Sequence, residues 1–211
     1  MLSKKTDWQL IVLVCSLIII MIMGVRQSLG LFLEPISQFM KDGKEFFSFA
    51  IGFQAIIWGV VTFGLGILID KFGPQKVLAF GIVCFASGIF LMSNPNNQLT
   101  LFSATSLMGF GLGGAGMATM VSIAGKVAPP EKRSFAMGLI AAAASFGQFA
   151  VVLPTMWMNK NFGWETSLIV LSIITISLLL LLPLLNNTNE QNNKNNIFKD
   201  GLQNTLIFSL K

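Results

Sequence analysis

Arg26 has the clearest capacity for chemistry in this sequence, because it lies inside a long apolar run, residues 8–33. A charge at the centre of a membrane helix costs about 2.5–3.5 kcal/mol on insertion scales, so it normally faces a cavity or a partner. The planar guanidinium could bind the carboxylate of an anion on a central path. Alternatively, Arg26 reaches the outer interface or pairs with Glu34. We favour anion binding.

Other polar side chains lie on helical stripes within the apolar runs. Gln54, Trp58 and Thr62 recur every four residues and therefore share one helix face. A lone glutamine in a membrane helix commonly joins helices, whereas several that converge on one cavity would bind a ligand. The residues predicted to contact a substrate are Arg26, Gln27, Gln54, Trp58 and Gln148.

Enzyme chemistry finds little support in the sequence. The chain has no His, which removes His-based triads and the common metal sites. Asp70 has no second acid beside it, and Cys15 and Cys84 fall inside apolar runs with no zinc or disulfide spacing. We therefore predict no enzymatic activity, no metal and no cofactor.

Composition indicates an integral membrane protein that is all α-helical. Hydrophobic residues make up 54% of the chain and charged residues 11%, about half the charge of a typical soluble domain. The mean hydropathy is +0.73. Six apolar runs are long enough to span a bilayer: residues 8–33, 46–69, 77–92, 99–124, 135–157 and 164–185. The net charge of +5 reflects loop asymmetry and not nucleic-acid binding.

Loop charges predict the orientation of these spans. One side of the membrane would carry seven basic residues, namely Lys4, Lys5, Lys71, Lys76, Lys126, Lys132 and Arg133. The other side would carry three, namely Lys41, Lys44 and Lys160. The more basic side is expected to be cytoplasmic. Both termini then lie in the cytoplasm, and the expected location is the plasma or inner membrane.

Small residues predict how the spans pack. Gly109 and Gly113 form a G-x-x-x-G pattern in the fourth span, which lets two helices approach closely. Gly138 and Ala142 belong to a similar small-residue face in the fifth span. The G-x-G-x-x-G pattern at residues 109–114 has no preceding strand, so it does not indicate a dinucleotide site.

The short connection at residues 66–76 carries the most specific motif, and Gly73 with Pro74 predicts a helix break and a turn there. It resembles the G-x-L-x-D-[RK]-x-G-x-[RK]-[RK] signature between the second and third spans of major facilitator superfamily carriers. Pro74 and Gln75 depart from that signature. The resemblance implies a cytoplasmic gate and not a substrate site. The gate residues are Gly66, Leu68, Asp70, Lys71, Gly73 and Lys76.

Residues 8–185 are similar to the first six-span half of such a carrier. Residues 24–35, 138–154 and 162–164 look most like the monocarboxylate and oxalate:formate antiporter branch. The resemblance implies alternating-access transport of a small organic anion, with Arg26 as the anion contact. It also implies a second six-span half, or a homodimer partner, which the exposed faces carrying Gln54 and Gln148 would meet.

Two domains follow from this interpretation. Residues 1–185 form the membrane domain, and residues 186–211 form an Asn-rich polar cytoplasmic linker with a short amphipathic segment. We expect the chain to be half of a carrier, truncated or paired. The alternatives are a non-transporting fragment and an assembly subunit that packs against another membrane protein.

Overall fold

The computed structural model describes residues 8–41 and 43–185, and these are almost entirely helical. Nine α-helices and three short 3-10 segments follow one another in this part of the chain, with no strand. The α-helices are α1 (Trp8–Ser28), α2 (Leu33–Met40), α3 (Gly43–Phe72), α4 (Pro74–Met92), α5 (Gln98–Ala115), α6 (Met117–Val127), α7 (Arg133–Ala150), α8 (Val152–Phe162) and α9 (Trp164–Ser177). The 3-10 segments are Leu29–Phe32, Pro130–Lys132 and Leu178–Leu185.

Six stretches are long and apolar enough to cross a membrane, which confirms the all-α, six-span prediction. We number them span one (Trp8–Met40), span two (Lys44–Gly64), span three (Pro74–Met92), span four (Gln98–Val127), span five (Pro130–Phe162) and span six (Trp164–Leu185). Span one extends past its predicted end at residue 33 because Pro35 lies in the first turn of α2, where a missing N–H costs no helical bond. The predicted linker at residues 186–211, together with Lys4 and Lys5, lies outside the described residues.

Glycine and proline shape the turns between spans. Gly73 has a φ of +84° and separates α3 from α4, with Pro74 in the first turn of α4. The Gly73 amide also donates to the Ile69 carbonyl at 2.9 Å, which closes the end of α3. Gly163 has a φ of +83° and separates spans five and six in the same way. The predicted helix break at Gly73 and Pro74 is therefore confirmed.

Three spans are interrupted within the bundle. Span one changes to a 3-10 turn at Leu29, and span four breaks at Gly116, whose backbone is extended. Span five is interrupted at Val151. This break follows from Pro154, which cannot donate a backbone hydrogen bond to the carbonyl of Ala150.

Span four packs closely on two neighbours through its glycines. A Cβ on Gly109 would lie 2.8 Å from the carbonyl oxygen of Gln54 in span two, and one on Gly114 would lie 2.8 Å from the Cα of Gly81 in span three. The close approach predicted from Gly109 and Gly113 is therefore present. The small face of span five behaves differently: a Cβ on Gly138 would meet nothing within 4 Å.

Each of the first three spans packs on one of the last three spans. Span one packs on span five as span two packs on span four, and spans three and six contact each other. Span four is the best buried, with 67% of its most apolar stretch covered, whereas span two has 17% and span five 33%. Spans two and five therefore present the main uncovered faces among the described residues.

Candidate functional site

Arg26 lies near the end of α1, and its guanidinium stacks on the indole ring of Trp58 in span two. The distance from Arg26 Cζ to the ring centroid is 4.7 Å, a cation–π geometry. The Nε atom of Arg26 is buried and has no hydrogen-bond partner among the described residues. This leaves a donor of a charged group free inside the bundle.

Glu34, the alternative partner predicted for Arg26, is engaged elsewhere. It forms an ion pair with Lys44 and accepts a hydrogen bond from Gln38 at 2.7 Å. The Arg26 guanidinium lies over the Trp58 ring instead.

Gln54 supplies a second unpaired donor one helical turn from Trp58. Its side chain is 1% exposed, and its Nε2 atom has no hydrogen-bond partner in the described part of the chain. The expectation that Gln54 is exposed towards another half is therefore wrong. Span two turns this residue towards span four, where Gly109 leaves room for the Gln54 backbone.

Trp58 also lines an open groove of about 790 Å³ between spans two and four. The remaining wall is mostly apolar, and Thr62 is its main polar member. Trp58 therefore contacts the Arg26 guanidinium and also borders the groove, whereas Arg26 itself is not among the residues that line the groove. The lining residues are Ala55, Trp58, Gly59, Thr62, Phe63, Met117, Ala118 and Val121.

The break of span four at Gly116 positions one wall of the groove. A Cβ on Gly116 would lie 3.4 Å from Trp58 Nε1, so the indole reaches the break. Met117, Ala118 and Val121 lie just after it, on α6. The sequence did not indicate these wall residues. Its glycines at 109–116 predicted close packing, but they did not show which glycine would interrupt the helix.

Gln27 and Gln148 lie outside this cluster. Both side chains are exposed, and neither lines the groove. Gln148 follows Gly147, at which span five crosses the backbone of Ile20 in span one. The structure thus brings Arg26 and Trp58 together, places Gln54 one helical turn from Trp58 on span two, and leaves Gln27 and Gln148 apart.

The predicted gate residues lie where span two ends and span three begins, away from the Arg26–Trp58 pair. Gly66, Leu68, Asp70 and Lys71 occupy the last turns of α3, before Gly73. The Lys71 and Lys76 side chains are exposed, and Lys71 Nζ lies 5.4 Å from the centroid of the Phe72 ring.

Gln75, a departure from the motif, links this turn to span six. Its Nε2 donates to the carbonyl of Leu182 at 2.7 Å. Carbonyls at a helix end lack intrahelical partners, so this side chain caps the end of span six. The turn therefore contacts both of the helices that flank it and the last span.

Comparison with known proteins identifies relatives among membrane carriers. The family model described as Major Facilitator Superfamily matches residues 10–209. An uncharacterized MFS-type transporter, YcxA of Bacillus subtilis, is 27% identical over 161 residues, covering 73% of this chain and 38% of its own. Monocarboxylate transporter 13 of Rattus norvegicus is 26% identical over 167 residues, 75% of this chain and 37% of its own.

A third relative is named for a different kind of substrate. Dipeptide and tripeptide permease A of Erwinia pyrifoliae is 27% identical over 132 residues, covering 61% of this chain and 26% of its own. The chain therefore spans well under half the length of these relatives.

Proposed function

The chain belongs to the major facilitator superfamily, and from this premise we propose that its six spans form one half of a secondary carrier for a small organic anion. Transport would proceed by alternating access between the two sides of the membrane. The carrier would lie in the plasma or inner membrane with the basic end, carrying Lys71, Lys76, Lys126, Lys132 and Arg133, in the cytoplasm. Monocarboxylate transporter 13 is among the relatives, which supports an anionic substrate.

One observation supports an anion most strongly. The half-buried Arg26 and the buried Gln54 each have a buried donor atom, Nε and Nε2 respectively, that has no partner among the described residues. Leaving a buried donor unpaired costs about 1–3 kcal/mol. A carboxylate offers only acceptors and would satisfy the Arg26 donor while neutralising the guanidinium.

The packing is consistent with a carrier that rocks. Glycines of span four let it approach the backbones of spans two and three closely. The exposed faces of spans two and five would meet the second half. Gln27 and Gln148 would line the transport path away from the Arg26–Trp58 pair. Asp70, Lys71 and their neighbours would control the cytoplasmic gate.

A subunit that assembles with another membrane protein, without transport, is the second candidate. The exposure of spans two and five also favours this, because any partner could cover them. Affinity purification from native membranes separates the two. A stoichiometric partner with no anion uptake would favour the assembly role, and uptake would exclude it.

Charge replacement at Arg26 tests the proposal. Membranes that contain the chain are titrated with radiolabelled butyrate, and Arg26→Gln, Arg26→Lys and Lys160→Gln variants are compared. Loss of a charge-assisted hydrogen bond costs about 1.5–3 kcal/mol, so Arg26→Gln should abolish measurable binding and Arg26→Lys should retain a weak remnant. Lys160 is exposed at the far end of span five, and its replacement controls for net charge.

Normal insertion of Arg26→Gln together with wild-type butyrate affinity would contradict the anion role. Loss of binding in Lys160→Gln as well would attribute the effect to overall charge and not to the site.

A further inference from the structure

A side-chain hydrogen bond joins the first turn of span three to the end of span six. Gln75 lies two residues after Gly73, and its Nε2 atom donates to the Leu182 carbonyl at 2.7 Å. We call residues 69–77 the gate turn, because they join spans two and three and include several of the predicted gate residues. The bond therefore connects the gate turn to the last turn of the described part of span six.

The end of span six is a segment that gains from an outside donor. Leu178–Leu185 is a 3-10 helix with Pro183 inside it. Hydrogen-bond geometry is poorer in 3-10 helices than in α-helices, and Pro183 has no N–H to donate to a preceding carbonyl. The ring of Pro183 also disfavours the α conformation at Leu182. A donor at the Leu182 carbonyl therefore supports a helix end that is weakly bonded within itself.

The gate turn also depends on contacts with other spans. Gly73 alone separates α3 from α4, and its φ of +84° allows a change of chain direction. Close to it, Ile69 and Val77 form a small buried cluster. Beyond this cluster each of the two helices packs mainly on span four, and much less on the other. Gln75 therefore adds a contact with span six to a turn that has little packing of its own.

A second hydrogen bond joins spans three and six inside the bundle. The hydroxyl of Ser172 in span six donates to the Ala86 carbonyl in span three at 3.1 Å, and both residues are buried. Ala86 lies roughly 16 Å along span three from Gln75 at 1.5 Å per residue. Ser172 therefore provides a matched comparison for Gln75, since it joins the same two spans away from the gate turn.

We infer that Gln75 is a positioning residue of the gate turn, and that its hydrogen bond makes the gate turn and the end of span six open and close as one unit. The inference rests on the proposed function in one respect, that this turn is the cytoplasmic gate. The connection itself does not depend on the solute. Gln75 stands where the superfamily signature has Lys or Arg, which can also donate to the carbonyls of a helix end. Gln75 thus retains a donor at this position without the charge.

Cysteine labelling in opened membranes tests this connection. Leu185→Cys reports the end of span six and Ile69→Cys reports the gate turn, each with Cys15→Ser and Cys84→Ser. The two native side chains are 1% and 3% exposed. Gln75→Met keeps a similar volume and removes the donor. We expect it to raise the rate of maleimide labelling at both cysteines by about two- to tenfold, the change in an opening equilibrium that loss of one hydrogen bond produces.

Three further variants separate the hydrogen bond from other causes. Gln75→Asn keeps the amide but shortens its reach by one methylene, so it should raise both rates as Gln75→Met does. Gln75→Lys retains a donor for the Leu182 carbonyl, and both rates should stay within about twofold of those of the parent. Ser172→Ala removes the other hydrogen bond between spans three and six and should leave both rates unchanged.

The possible outcomes decide the inference in each case. Unchanged rates in Gln75→Met would overturn it, and so would a rise at Ile69→Cys without a rise at Leu185→Cys, because the two segments would then move independently. A rise in Gln75→Lys equal to that in Gln75→Met would exclude the donor role. An equal rise in Ser172→Ala would show that spans three and six loosen as a whole, which would also overturn the inference.

The labelling needs no bound solute, so it separates this inference from the proposed function. Absence of Arg26-dependent butyrate binding would overturn the proposed function and leave the connection through Gln75 in place. Normal butyrate binding with unchanged labelling in Gln75→Met would do the reverse.

Discussion

At the scale of single residues, the site combines a charge that can be recognised in the sequence with contacts that cannot. Arg26 was predictable because a cation inside an apolar run is costly. Its stacking on Trp58 was not, because period-four spacing places Gln54, Trp58 and Thr62 on one face without saying which helix that face meets. The glycines of span four determine this, since they draw span two inwards and bury Gln54.

Gln54 permits a prediction in which stability and binding change in opposite directions. Its buried amide has an unpaired Nε2, and an unsatisfied donor costs about 1–3 kcal/mol. Gln54→Met keeps a similar side-chain volume and removes the polar group. We expect a higher apparent melting temperature in detergent by circular dichroism, together with weaker butyrate binding.

Gln148→Met is the matched stability control, because Gln148 is exposed. It should leave the melting temperature nearly unchanged. If Gln54→Met instead melts earlier and binds butyrate normally, Gln54 stabilises the helix packing and does not contact the anion.

At the scale of elements, local composition predicted the helices better than their interruptions. Runs of apolar residues of spanning length predicted all six spans, and Gly73 with Pro74 predicted a turn. The break at Gly116 was not apparent, because the seven positions before it, 109–115, are all helical and equally rich in small residues. The break lies against Trp58 of span two, a contact between distant parts of the chain that local composition does not contain.

A pair of glycine substitutions tests the packing of span four. Gly114→Ala would place a Cβ 2.8 Å from the Cα of Gly81, and a backbone atom cannot move aside without separating spans three and four. Overpacking of this kind costs about 1–3 kcal/mol. We therefore expect Gly114→Ala to lower the melting temperature and the yield of monodisperse protein in detergent.

Gly138→Ala has the same chemistry in an open position, with nothing within 4 Å of the added Cβ. It should be neutral or stabilising by up to about 1 kcal/mol, because Ala favours the helix over Gly. Equal destabilisation by both substitutions would show that membrane insertion, and not the contact with span three, controls the result.

At the scale of the whole molecule, alternating loops place the basic turns at one end of the bundle. Lys132 is exposed at that end and Asn96 is exposed at the opposite end. In a background with Cys15→Ser and Cys84→Ser, Asn96→Cys should react with an impermeant maleimide in intact cells. Lys132→Cys should react only after the membrane is opened, because loops rich in Lys and Arg remain in the cytoplasm. Labelling of Lys132→Cys in intact cells would reverse the proposed orientation.

The uncovered faces of spans two and five predict that this chain alone binds an anion without carrying it across the membrane. Phe63 is 96% exposed, and span two as a whole has little cover. In the superfamily, substrate lies between two halves that rock against each other, and a single half has no opposing wall to close the path. Purified into liposomes, the chain should therefore retain Arg26-dependent butyrate binding but show no saturable butyrate uptake above that of Arg26→Gln. Saturable, Arg26-dependent uptake by the chain alone would contradict this and would indicate that two copies form the path. Crosslinking through a cysteine at Phe63 would then be expected to trap a dimer.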